Sequence, residues 1–498
     1  MKKYLAAVLT LTLLAGLALC VPAALAETNP DWPTLHIIAR KLGEGDPDNP
    51  ILPLLEQAIE CNIEVDWRAP SDYGQQCQVI LASGDYPDMM EVWWSNPPGD
   101  FDDFAYSGSI LALDDLIEQY GQEILKVRPE ETWWRYAEDG KIYAIPARYA
   151  EMADETFLIR QDWLDNLGLQ MPTTLDELEE VIRQFTVSDP DGNGKDDTYG
   201  VGMAGGYETD KLWLGAYGVA RGQWNVREDG SLVWWGVMPE AFEAILRVRA
   251  LYQAGYIEPE YPLMQRSEMI AGMSQNKYGM HWWQPTQMTV ATSDFWREFT
   301  QSVPEAKIAV LPPIAAEGVK APVYPGVASL QFINQIIFAD SEHPEKCVQL
   351  LNYLATQEGS ELAAFGIKGE HWDEVDGQVV MREMSTEDYK KSGAGLYAWM
   401  CRPGYYLRNT DPLAMEAIET YNPYIVRNPM PYSTEIEIKK GTALKNDLTN
   451  SVFTKLIIEK DIDPKAVWDE YVEKWNATGG REMTEQVNAE YEKLRSSK

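Results

Sequence analysis

Short apolar strands alternating with helical patterns constrain this chain more than any other feature. Residues 34–40 (TLHIIAR), 63–67 and 89–93 read as strands. A loop to Asn49 and a helix through Glu60 separate the first two; a helical stretch over 72–82 and the turn Ser83-Gly84-Asp85-Tyr86-Pro87-Asp88 separate the next. Parallel neighbours need such crossover helices, so the pattern predicts an α/β lobe with a largely parallel sheet. Residues 110–120 return as helix, and Tyr143-Ala144-Ile145-Pro146 reads as a strand near a lobe boundary. Thr174 and Glu177 form a helix start whose helix runs to 185, and helical patterns recur at 240–254, 344–356, 415–421 and from 464 onward. No short repeat or low-complexity linker interrupts the chain.

The first residues read as an export signal. Lys2 and Lys3 precede an apolar run over 5–19, and Ala24-Leu25-Ala26 supplies the small residues of a cleavage site. Leu17-Ala18-Leu19-Cys20 is the competing signal, a lipoprotein box whose cysteine would be acylated and tether the chain to the membrane. Leu19 is larger than the residue such boxes normally carry there, so cleavage after Ala26 is favoured; either route exports the protein to the cell surface or beyond. No later segment reaches the ~18–20 apolar residues of a spanning helix.

Loss of residues 1–26 leaves 472 residues with 78 acidic and 40 basic side chains, a net charge of −38. That surface disfavours nucleic acid and anionic lipid as partners. The chain is 45% hydrophobic, enough for a large core, and its length exceeds what one core usually covers, so two lobes are expected. Cys61, Cys77, Cys347 and Cys401 remain after Cys20; they allow three pairings or none, and match no zinc spacing. His36, His281, His343 and His371 are scattered.

Residues 189–197 (DPDGNGKDD) read as a calcium loop. Asp189, Asp191, Asn193 and Asp197 place oxygen side chains at alternate positions, and Lys195 between them would serve through its carbonyl. A hard cation takes roughly six to eight oxygens at about 2.3–2.6 Å, which a tight turn can converge. Gly200 stands where a complete helix–loop–helix site has a bidentate Glu, so this is not a full sensor hand. A solvated acidic turn is the plain alternative.

The order of segments resembles family 1 extracellular solute-binding proteins of ABC importers, particularly the long lipoprotein-type branch associated with oligosaccharides. The densest part is FLIRQDWLDNLGLQMPTTLDELEEVIRQF (157–185) followed by DPDGNGKDDTYG (189–200). LASGDYPDMMEVW (81–93), KYGMHWW (277–283), EKCVQLLNYLATQEG (345–359) and GIKGEHW (366–372) add to it. The resemblance implies a two-lobed periplasmic-binding-protein-like α/β fold of the class II type, with a ligand cleft between lobes joined by hinge segments. The first lobe is expected from residues 27–148 plus 334–400, the second from 149–333 plus 401–498. It also implies a structural calcium away from the ligand, although Thr198 replaces the Glu that usually follows the last Asp of the loop.

Eighteen Trp and 26 Tyr suit a sugar, whose C–H faces pack on flat rings. Trp pairs stand at 93–94, 133–134, 234–235 and 282–283; in a strand such a pair can bury one ring and present the other. Most tryptophans are core filler, so position selects among them. Trp93 and Trp94 follow an apolar strand, where α/β sheets place ligands. Trp282 and Trp283 end the KYGMH strand, and Arg148, Tyr149 and Glu151 follow the first probable crossing. Asp48, Asn49, Trp399 and Tyr405 complete the candidate set.

The expectation is a monomeric receptor, not an enzyme. It would capture a carbohydrate, by default a neutral oligosaccharide, through lobe closure and deliver it to separate ABC permease subunits. The rivals are an exported hydrolase or lyase, which needs two carboxylates at about 5–5.5 or 6.5–9.5 Å for hydrolysis, and a surface sugar sensor on the same fold.

Overall fold

The computed structural model describes residues 29–41, 45–69, 73–92, 107–128, 141–147, 153, 156–205, 210–285, 294–325, 334–401, 408, 411–430 and 434–496. The elements that position the site are β1 (Thr34–Arg40), α1 (Leu52–Ile59), β2 (Asn62–Arg68), α2 (Tyr73–Ser83), β3 (Met89–Val92), β4 (Ile145–Pro146) and β5 (Thr156–Arg160). They continue with α3 (Gln161–Leu167), α4 (Leu175–Val187), β6 (Met280–Trp283), β7 (Ile308–Val310), β8 (Asn334–Ile337), α5 (Pro344–Ala355), α6 (Gln357–Phe365), β9 (Trp372–Val375) and β10 (Gln378–Met381).

The first sheet runs β2-β1-β3-β8-β4. β1 pairs in parallel with both β2 and β3, as crossover helices require. β8 is antiparallel to β3 and to β4, because it belongs to a much later stretch of chain and not to a crossover unit. Both faces are covered: Met89 packs with Leu55, Ile59, Val348 and Leu351 from α1 and α5, while Met90 packs with Tyr73, Cys77 and Leu81 of α2. The helix expected over 110–120 forms only at Asp114–Tyr120, because Ile110 bridges Phe338 at the sheet's side.

The second sheet, β6-β5-β7, is antiparallel throughout. Every residue of β5 is buried. α4 begins at the expected box: Thr174 accepts from the Glu177 amide and the Glu177 side chain returns the bond. Its Leu178, Val181, Ile182 and Phe185 enter the same core as Phe157, Trp163 and, from the C-terminal helices, Trp468, Tyr471 and Trp475.

The two cores share no residue. The first lobe's is made of three clusters drawn from 35–145 and 336–401, the second lobe's of one drawn from 153–324 and 414–487. The fold is therefore two-lobed, and Cys401 packs in the first core, one residue beyond the expected change of lobe. Cys61, Cys77, Cys347 and Cys401 are free and buried, and burial pushes the Cys61 and Cys77 thiols up to about 11, so the four act as small apolar fillers. Among the described residues no helix is long and apolar enough to cross a membrane.

Candidate functional site

Register places strand ends of both sheets beside the segments that join the lobes. β3 ends at Val92, opposite the first residue of β8, Asn334, which also faces Pro146 of β4. In the second lobe the first residue of β5, Thr156, faces the last of β6, Trp283, and its hydroxyl donates to the Trp283 carbonyl at 3.0 Å. Parallel sheets bind ligands at the carboxyl edge of their strands, and that is the edge the first lobe turns toward the crossings.

This edge is polar although buried. Arg40, the last residue of β1, is ion-paired with Glu91 of β3, and the guanidinium lies 5.7 Å from the Tyr73 ring centroid. Tyr73 donates its hydroxyl to the Glu91 carbonyl at 2.6 Å. Burial, opposed by Arg40, pushes the Glu91 carboxyl up to about 6. Gln335 sits cross-strand from Glu91, fully buried, with neither amide atom hydrogen-bonded among the described residues. Arg128 closes the edge from behind: its Nε donates to the Pro146 carbonyl at 2.7 Å and its Nη2 to Ala147 at 2.9 Å and to Cys401 Sγ at 3.4 Å. One buried side chain thus grips the chain where it leaves the first lobe near residue 147 and again near residue 401.

In the second lobe the expectation that one ring of the 282–283 pair is presented is corrected. Both indoles are almost wholly buried. Trp283 lies with His281 at 6.0 Å and Trp296 at 6.4 Å between ring centroids. Trp282, on the opposite face of β6, is flanked by cations: Lys211 at 5.7 Å and Arg266 at 5.1 Å from its ring. Arg266 also donates to Gln284 Oε1 at 3.2 Å. Nearby in sequence, Arg221 pairs with Asp210 at 3.3 Å and lies 5.3 Å from the Trp235 ring. Each such cation–ring contact contributes about 0.5–2 kcal/mol, more as it is desolvated. His281 is no switch: burial, with the Arg160 charge, lowers its pKa to about 3 and keeps the imidazole neutral.

The other candidates divide sharply. Asn49 is a structural residue: its Oδ1 accepts from the Ile51 and Leu52 amides where α1 begins, while its Nδ2 donates to the Asp46 and Pro47 carbonyls and the Tyr397 hydroxyl. Its hydrogen-bonding capacity is spent there, so the ligand role expected of it is corrected. Asp48 is exposed in the same loop, its amide bonded to Asp46, and Trp399 is half-buried beside the first core. Trp93, Trp94, Arg148, Tyr149, Glu151 and Tyr405 lie outside the described residues. Arg40, Glu91, Arg128, Lys211, Arg266 and Gln335 escaped the sequence reading. Single polar residues in otherwise apolar strands were the only signal, and Glu91 within MMEV carried it most plainly.

The 189–197 loop gathers its oxygens around Asn193. The Asn193 side chain donates to Asp191 at 3.0 Å and Asp197 at 3.2 Å, and its amide donates to Asp189 at 3.1 Å. Asn193 Oδ1 accepts from the Lys195 amide, and Asn276 donates to Asp191 at 2.9 Å. Asp189 adopts a φ of 50°, completing the tight turn. Burial, joined by Asp189 and Asp197, raises the Asp191 pKa against the pull of the Asn193 amide. Among the described residues, however, no three acidic, His or Cys side chains are spaced to hold a metal; the carboxylates are drawn to the Asn193 amide instead. The donor chemistry suits a hard cation. Thr198 is not part of it: its hydroxyl donates to the Phe185 carbonyl at 2.8 Å at the end of α4.

The model of the bacterial extracellular solute-binding protein family matches residues 54–361. The chain is 25% identical over 520 residues to Lipoprotein LipO of Bacillus subtilis (strain 168), covering 99% of this chain and 98% of LipO. It is 24% identical over 457 residues to the Polygalacturonan/rhamnogalacturonan-binding protein YtcQ of the same strain, covering 89% and 88%. Its fold is similar to the solved structure of the S. pneumoniae ABC-transporter substrate binding protein FusA, an EF-hand mutant in complex with fructo-nystose, at TM-score 0.70 and 20% identity over 93% of this chain and all of that one. The family match spans more than half of the chain, and on that ground the chain belongs to the bacterial extracellular solute-binding proteins.

Proposed function

We propose that the protein captures a carbohydrate, an oligosaccharide, between its lobes and delivers it to an ABC permease. The observation that carries this reading is the pair of independent cores whose sheet edges face the joining segments. The names of YtcQ and FusA support a sugar as the ligand. The lobe division at 27–148 plus 334–400 and 149–333 plus 401–498 is supported by the membership of the cores, with Cys401 moved to the first. Closure brings the Arg40–Glu91–Gln335 edge and the Trp282 surroundings together, hinge segments absorbing the dihedral change. Trp93, Trp94, Arg148, Tyr149, Glu151 and Tyr405 join them in this reading, by their place next to β3 and the crossings. No bond in the sugar is made or broken; ring stacking and hydroxyl contacts set specificity.

The protein is exported, and its similarity to Lipoprotein LipO supports tethering through Cys20. A tethered monomer with no membrane-crossing helix among its described residues would work with separate permease and ATPase subunits.

Calcium is part of the proposal. Asp189, Asp191, Asn193, Asp197 and the Lys195 carbonyl would hold the ion, which neutralises three crowded carboxylates and stiffens the end of α4. FusA, the EF-hand mutant relative, supports it. Asp191 has a raised folded pKa, so its contribution in the metal-free protein is present at low pH and is lost as pH rises through its titration. Calcium reverses that loss, so its stabilising increment should grow with pH across the same window. At a calcium concentration one hundred times Kd, the expected gain is about 2.7 kcal/mol, and Asp191→Ala should remove it. A melting temperature identical in calcium and in chelator would sink the metal.

The test of the main reading is a titration of residues 27–498 with a panel of neutral and acidic oligosaccharides, followed by tryptophan fluorescence. Saturable quenching by a sugar recovered intact supports a receptor. Cleavage of the sugar establishes the exported enzyme instead.

A further inference from the structure

Cys401 belongs to the first core and Ala414 to the second, so the stretch between them joins the lobes. Arg408 lies within that stretch, and all its described contacts reach back to the first lobe. It is ion-paired with Glu361 of α6. Its Nη2 lies 3.0 Å from Glu374 Oε1 on β9, and the same Nη2 and Nε donate to the Gly377 carbonyl at 3.0 and 3.3 Å.

The acceptors are built for this. β9 and β10 pair from Trp372↔Met381 to Val375↔Gln378, leaving Asp376-Gly377 as a two-residue turn. Both residues have positive φ, 51° and 80°, which selects the turn type that matches strand twist. The hairpin is fixed on the lobe: Trp372 is buried with Phe365 and Val379, and its indole donates to the Gly366 carbonyl at 2.9 Å. Glu361 is positioned by Gln357 at 2.8 Å and Glu374 by Lys368 at 2.6 Å. The Glu361 side chain is only 10% exposed and that of Arg408 19%, so this cluster is far better shielded than a surface ion pair.

We propose that Arg408 is a positioning residue for the lobe hinge: it staples the joining stretch after Cys401 to the β9–β10 hairpin, so that rotation between the lobes begins beyond residue 408. Arg128 secures the other end of the same stretch through Cys401 Sγ and couples it to the carbonyls of Pro146 and Ala147. Cys401 and Arg408 are both tied to the first lobe, and the free travel available to the lobes is shortened. A looser hinge would populate more open states and tax ligand capture by that fraction. The inference rests on the reading that the lobes move relative to each other.

Inter-lobe distance tests it without any ligand. Val79 and Leu263 are exposed, 69% and 85%, one in each lobe, so Val79→Cys and Leu263→Cys can carry a fluorophore pair while the four native thiols stay buried. Single-molecule energy transfer is recorded for the labelled full mature chain, with Arg408→Ala, Arg408→Lys and Glu374→Ala compared against it. Loss of a charged hydrogen-bond cluster should raise the population outside the parent distance peak about tenfold in Arg408→Ala. Arg408→Lys, which keeps the charge but cannot reach Glu361, Glu374 and Gly377 together, should fall between. Each melting temperature is measured alongside, since a purely structural role would lower it without redistributing the distances. Glu374 is partly exposed, so Glu374→Ala folds even if Arg408→Ala does not, and a smaller broadening in the same direction is required of it. Distance distributions unchanged from the parent in the variants overturn the proposal. A parent whose distance ignores every oligosaccharide added contradicts the capture reading and leaves the comparison of variants standing.

Discussion

Arg40→Met alone is expected to destabilise the first lobe by about 3–5 kcal/mol, the cost of leaving one partner of a buried ion pair behind. Arg40 and Glu91 are 4% and 1% exposed, so neither charge has water to fall back on. Arg40→Met with Glu91→Leu should return most of that loss, because the desolvation of both charges disappears together. The pH dependence distinguishes this from simple loss of packing. The folded pKa of Glu91 is raised to about 6 from an ordinary 4.5. Its contribution is therefore fully present below the unfolded value and is lost as pH rises through about 6. Without Arg40 the carboxyl is pushed higher, so the deficit of Arg40→Met should be small at pH 5 and large at pH 8. Urea midpoints at the two pH values check it, read on the transition of the first lobe because two lobes need not unfold together. A deficit that does not change with pH would contradict the account of this edge.

Trp163→Ala should cost the second lobe about 3–5 kcal/mol, the range for deleting a large buried aromatic. Trp163 is wholly buried, stands edge-on to Phe185 of α4 at 5.3 Å, and carries the Arg160 guanidinium 4.6 Å above its ring. Arg160 is itself held by Asp162 at 2.5–2.8 Å, so the ring is clamped between a fixed charge and a helix. Gly279 completes the packing by having no side chain. A methyl there would lie 2.1 Å from Phe185 Cδ2 and 2.9 Å from Trp163 Cε3. Gly279→Ala should then cost about 1–3 kcal/mol by overpacking. The two changes must not add: removing Trp163 opens space on the side the methyl needs, so the double variant should be more stable than the sum of the singles. Thermal unfolding of the four proteins decides it, and strict additivity would mean that Gly279 is constrained by something other than this contact.

That cluster also shows what a sequence can and cannot disclose. Trp163, Phe185 and Gly279 fall in two separate segments that carry the family resemblance, FLIRQDW…EEVIRQF and KYGMHWW. Their motifs are packing motifs, and the glycine is small for a local reason, the approach of α4 to β6. Period and capping were enough for the strands and helices: β1, β2 and the capped α4 lie where alternation and the Thr174–Glu177 pair predict them. The direction of β8 was not legible, because antiparallel entry into the first sheet is decided by where the chain returns from the second lobe.

The site was less legible. Trp282 and Trp283 were placed correctly at the end of β6, but alternation predicts which face a ring occupies and not whether another element covers that face. Lys211 and Arg266 come from distant segments and cover one of them. Asn49 reads in sequence as a loop amide available to a ligand, whereas its Nδ2 is taken up by the Tyr397 hydroxyl, which comes from a distant part of the chain. Arg128 and Arg408 have no motif at all. Each takes its meaning from backbone carbonyls and carboxylates that the chain brings to it from elsewhere.

The two lobes should close on a sugar and release it unchanged. Small-angle scattering of residues 27–498, with and without a saturating oligosaccharide identified by fluorescence titration, decides it. The radius of gyration should fall on binding, and the sugar should be recovered chemically intact. Saturable binding with no change in the radius, or recovery of cleaved sugar, would contradict it.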